Sequence, residues 1–140
     1  MSKEKILALD KKLSDQRSEW TLKIQDHAKS LRYINGIEDT IAMVLSDRQR
    51  MIDQIAYINT KIKDQKRKVA ERYREKYLEY YNFDYKLGER QKEIFINADL
   101  SDDNSILSHL ENQLDFFRES VKTLDNMGFA IRNRLALKDL

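Results

Sequence analysis

The chain has 140 residues, no cysteine and no proline, and its 26 basic and 24 acidic side chains leave a formal charge of only +2. That length holds one hydrophobic core rather than two, and the missing cysteines exclude disulfides and thiolate metal sites. With so small a net charge, any binding of a polyanion has to be local to a patch.

A charged fraction of 36% beside a hydrophobic fraction of 41%, with only three glycines, predicts an all-α chain of long helices rather than a disordered tail. No apolar run approaches the roughly 18 residues of a membrane span. The opening MSKEKILALD lacks the apolar stretch of a signal peptide, which fits a cytoplasmic location. The chain reads as one helical domain in four parts, 1–45, 46–85, 86–100 and 101–140.

In the first part Ile6, Leu9, Leu13, Trp20 and Ile24 recur at helical spacing, and Leu31 and Ile34 continue that face; Trp20 is expected in the core. Asn35-Gly36 ends the pattern, because both residue types tolerate the left-handed conformation that stops helices. A second segment starts at Ile37. Ser46 with Gln49 resembles a capping box, so either one helix runs through or a new one starts there.

From Met51 the apolar steps alternate between three and four residues: Met51, Ile55, Ile58, Ile62 and Val69, with Gln65 in the missing place. Tyr73, Tyr77 and Tyr80 continue the face. A helix from Ser46 to Phe83 spans about 55 Å, too long for a small globule and suited to an arm of a hairpin or bundle. The same stretch concentrates charge. Between 61 and 76 stand Lys61, Lys63, Lys66, Arg67, Lys68, Arg72, Arg74 and Lys76 against only Asp64, Glu71 and Glu75. Aromatics follow, including Tyr81, Phe83 and Tyr85. Cationic side chains beside flat rings suit single-stranded nucleic acid, whose phosphates are anionic and whose bases stack. The same basic residues also suit a merely solvated helix face, and the tyrosines a packing face.

Lys86-Leu87-Gly88 breaks the period, and a short helix is expected to end near Asn97. The cluster SDDNS at 101–105 reads as a helix N-cap. Then Leu107, Leu110, Leu114, Phe117, Val121, Leu124, Gly128, Ile131 and Leu135 follow three- and four-residue steps without a miss, predicting a coiled-coil-like seam. Elongated helices bury limited apolar area, and Phe95, Phe116 and Phe129 lie off the seams, so a homo-oligomer is expected. Neither His27 nor His109 has a partner at metal-ligand spacing, so both read as surface residues and no metal or other cofactor is expected. The acids at 99–103 lack the glycine and terminal glutamate of a calcium loop. Without a nucleophile triad or phosphate loop, no enzymatic activity is expected.

Leu78-Glu79-Tyr80-Tyr81 closing a long basic helix, followed by an irregular stretch and a terminal helix carrying VKTLDNMGFAIRN, resembles the UvsY family, the recombination mediators of T-even-type phages. The likeness covers about residues 66–135. Where the family places Lys-x-Arg before its Leu-acidic-Tyr-Tyr, this chain has Glu75 and Tyr77, with basic residues moved to Arg72, Arg74 and Lys76. The resemblance implies a closed homo-oligomer, hexamer or heptamer, working in the host cell cytoplasm. It implies binding of single-stranded DNA and help to a phage recombinase in displacing the single-stranded-DNA-binding protein. A helical-hairpin chaperone or adaptor that grips only proteins is the other reading.

Overall fold

A computed structural model describes residues 3–33, 35–82 and 87–138. Ile34, Phe83, Tyr85 and Lys86, each part of an expectation above, lie outside the described residues. Among the described residues the chain is all-α, with four helices: α1 (Lys3–Ser30), α2 (Ile37–Tyr81), α3 (Glu89–Asp99) and α4 (Ser101–Lys138). Among the described residues no helix is long and apolar enough to cross a membrane.

Gly36 separates α1 from α2 in the left-handed region, at φ 83°, a conformation that costs glycine no Cβ clash. It is the only described residue with positive φ. From there α2 runs unbroken for 45 residues, about 68 Å, so Ser46 and Gln49 lie inside one helix. Gln49 donates to Asp53 at 3.1 Å, one turn onward. The short helix α3 begins after Gly88, whose N–H donates to the Gln91 side chain at 3.2 Å. It ends at Asp99, two residues beyond the expected stop.

A helix as long as α2 draws its stability from the stripe it buries. Val44, Met51, Ile58 and Ile62 form that stripe, facing Ile106, Leu110, Leu114, Phe117, Leu124 and Met127 of α4. Trp20 joins from α1, its ring edge-on to Phe117 with centroids 6.3 Å apart. Ion pairs and hydrogen bonds give the directions. Arg48 meets Asp125 at 2.6 Å and Gln65 meets the Asp103 carbonyl at 2.9 Å, so α4 runs antiparallel to α2. Arg17 donates to Gln113 at 2.8 Å and Arg134 to the Arg32 carbonyl at 2.8 Å, so α1 and α4 run side by side in the same sense.

The buried stripe of α4 is turned slightly from the apolar pattern in the sequence. Leu110, Leu114, Phe117, Leu124 and Ile131 are buried as expected, but Leu107, Val121, Gly128 and Leu135 are only half-buried. Asp103, Ile106, Gln113, Ser120 and Met127 complete the buried stripe instead. The reason is that α4 packs against α1 as well as α2. Its covered arc is therefore wide enough to take in polar side chains that find partners, Gln113 among them.

His27 departs from its expected surface position. It is 5% exposed, one heptad beyond Trp20, and its Nε2 lies 2.7 Å from the Asp47 carboxylate on α2. His109 is half-buried, 3.5 Å from Asp10. No buried side-chain nitrogen or oxygen among the described residues lacks a hydrogen-bond partner.

Two core substitutions check this packing. Phe117→Ala should cost about 3–5 kcal/mol, by removing a fully buried ring. Leu114→Asp should cost as much or more, by placing a carboxylate where nothing pairs with it. Urea unfolding followed by circular dichroism measures both; near-wild-type midpoints would contradict the burial.

Candidate nucleic-acid interface

Helical phase sorts the basic segment of α2. The buried stripe, through Ile58, Ile62 and Gln65, fixes the direction of every other side chain, because successive residues turn by about 100°. On one flank lie Lys63, Lys66, Arg67, Ala70, Arg74, Tyr77 and Tyr81, with no acid of α2 among them. On the other flank Lys61, Lys68 and Arg72 are interleaved with Asp64, Glu71, Glu75 and Glu79. The excess of positive charge is thus one-sided, although the basic residues themselves are not.

Contacts sharpen the division. Lys63, Lys66 and Arg74 are exposed and make no ion pair with any described residue. Arg67 stands at the border, with Asp64 3.8 Å away. Across the helix, Lys61 lies over the Tyr57 ring at 5.4 Å, and Lys68 is exposed. Lys76 is half-buried and pairs with Glu79 at 3.2 Å.

Arg72 has a different task from the one its place in the charge run predicts. Its guanidinium meets the Asp103 carboxylate at 2.5 Å. Asp103 is 4% exposed, and its carbonyl already accepts from Gln65. Asp103, one of the cluster expected to cap α4, sits in its first turn and ties that turn to α2. Arg72 compensates a buried negative charge, so less of its own charge is left for an external phosphate.

The tyrosines at the end of α2 are engaged by α3. Tyr77 donates to the Glu89 carboxylate at 3.3 Å and Tyr80 to Asp99 at 2.6 Å. The bond to Asp99 raises the Tyr80 phenol above its ordinary pKa, with smaller contributions from desolvation and from the Asp99 and Glu79 charges. The Tyr80 ring also packs on Phe95 with centroids 5.9 Å apart.

Tyr81 remains 66% exposed at the end of the acid-free flank. Lys92 of α3 lies 5.1 Å from its ring centre and 5.4 Å from that of Tyr77, and pairs with Glu89 at 3.3 Å. The Lys92 cation is therefore buried between two ring faces and a carboxylate, an arrangement worth about 2 kcal/mol when desolvated. Lys92 lies outside the basic run of α2, on the short helix expected after Gly88, where its charge alone does not mark it. The Glu89–Lys92 spacing of three residues was its only signal.

No group of three or more His, Asp or Glu side chains is placed to hold a metal ion among the described residues. Compared with protein-family models, with curated proteins and with solved structures, the chain matches none.

The two kinds of basic residue should separate in stability measurements. Arg72→Ala, which leaves the buried Asp103 carboxylate uncompensated, should cost about 1–3 kcal/mol. Lys63→Ala with Lys66→Ala should change stability by less than about 0.5 kcal/mol. Equal effects in urea unfolding would mean that the Arg72–Asp103 pair does not hold the start of α4.

Proposed function

We propose that the protein binds single-stranded DNA along the acid-free flank of α2 and serves as a recombination mediator. In that role it helps a phage recombinase displace the single-stranded-DNA-binding protein and begin a filament. The observation that carries this reading is the placement of Lys63, Lys66 and Arg74, exposed on one flank and in no ion pair with a described carboxylate. Phosphates are gripped by those side chains and by Arg67, while Tyr81 at the end of the flank offers a ring to an unstacked base. The resemblance to the UvsY family supplies the biological role, and Lys63 extends the basic run of the matching stretch toward the middle of α2.

A hexameric or heptameric ring belongs to the same proposal. The accessible surface is 10241 Å², against about 7,600 Å² for a compact monomer of this mass. Leu22, Leu45, Phe129 and Leu137 are among the large apolar side chains left exposed, and association of copies covers such surface. Repeating a modest patch around a ring raises the effective concentration of cations along one strand.

Binding to oligothymidylate, measured by fluorescence anisotropy across a salt series, tests the reading. Four contacting cations per chain predict that log affinity falls with log salt at a slope of about −3 per bound chain. Single strands should be preferred over duplex. Salt-independent binding, or none at low salt, would refute the proposal and leave the protein-adaptor reading.

A further inference from the structure

On the mixed flank α2 runs beside α1, and the two leave a groove of about 340 Å³ that the proposed DNA contacts do not use. Its floor is aliphatic. Leu13, Ile58 and Leu110 are buried beneath it and Leu9 is half-buried at its edge. Its rim is cationic, with Lys12 from α1 and Lys61 and Lys68 from α2 all exposed. The one lining carboxylate, Asp64, is also within reach of Arg67, at 3.8 Å. Tyr57, 57% exposed, adds an apolar wall ending in a hydroxyl.

We infer that this groove is a docking site for an acidic amphipathic peptide segment of a partner protein. Apolar anchors of the segment lie on the Leu13–Ile58–Leu110 floor, and its carboxylates meet Lys12, Lys61 and Lys68. Charge complementarity selects this occupant: three lysines around an aliphatic floor match a segment in which Leu or Phe is flanked by Asp and Glu. A cavity of this size takes one or two anchor side chains. Nucleic acid fits the groove less well. Lys61 lies over the Tyr57 ring of the groove wall, and Asp64, Glu71 and Glu75 repel phosphates along the same flank of α2.

The full chain is titrated, without DNA, into a fluorescein-labelled peptide of about ten residues that carries two leucines three positions apart among aspartates and glutamates. Saturable binding is expected. Lys12→Glu with Lys61→Glu and Lys68→Glu should weaken it by about tenfold or more, and replacing the peptide's leucines with serine should abolish it. Should that charge-reversed chain fail the circular-dichroism check, Lys61→Gln with Lys68→Gln gives the same test with a smaller loss. Unlabelled oligothymidylate should not displace the peptide. The inference is overturned by no binding, undiminished binding by the lysine variants, undiminished binding of the serine peptide, or displacement by oligothymidylate. A fall in particle mass as the peptide binds also overturns it, since it assigns the groove to a second copy of the chain. Apart from the oligothymidylate competition, none of these readings depends on whether the protein binds DNA.

Discussion

The phase of α2 is the constraint on which the rest of the molecule depends. A helix of 45 residues has little reason to persist alone in water and is held by the stripe it buries. Met51, Ile58, Ile62 and Gln65 face α4, with Trp20 closing the core from α1. Once that stripe is fixed, every other side chain on α2 has its direction. Lys63, Lys66 and Arg74 turn to one flank, away from the acids, while Lys61 and Lys68 turn to the other, beside α1. The same packing that stabilises the helix therefore sorts its charges.

Polar contacts between helices set the register that apolar packing alone leaves loose. His27 meets Asp47, Arg17 meets Gln113, and Gln65 with Arg72 meets Asp103. Each joins two different helices, and each places a buried or half-buried polar group where sliding by one turn would strand it. Stranding such a group costs more than the bond contributes when made. Identical apolar steps along α2 and α4 would otherwise permit shifted pairings. These contacts penalise them.

The sequence discloses the elements far better than it discloses their partners. The all-α character, a break at Gly36 before α2, the core position of Trp20 and the burial of Gln65 in the α2 stripe follow from local chemistry and periodicity, although α1 stops at Ser30, short of the expected Asn35-Gly36. The stripe of α4 was only partly legible. Reading apolar residues alone selects Leu107 and Val121 and passes over the buried Gln113 and Ser120; Gln113 is reached by Gln16 and Arg17 of a second helix, α1. His27 was misplaced for the same reason: its partner Asp47 lies on the next helix, and no spacing rule connects them. The basic run showed where charge concentrates. It could not show that Arg72 is committed to Asp103, 31 residues onward, nor that Lys92 sits between Tyr77 and Tyr81.

The helix thus carries two surfaces of different chemistry on its two flanks, one cationic and acid-free, the other an aliphatic groove rimmed by lysines. Binding of single-stranded DNA by charge-reversed chains tests this division most directly. Lys63→Glu with Lys66→Glu and Arg74→Glu is compared with Lys61→Glu and Lys68→Glu at one low salt concentration. The phase of α2 predicts that the first chain loses most of its affinity for oligothymidylate while the second keeps nearly all of it. Equal losses, or a greater loss from Lys61 and Lys68, would contradict the account.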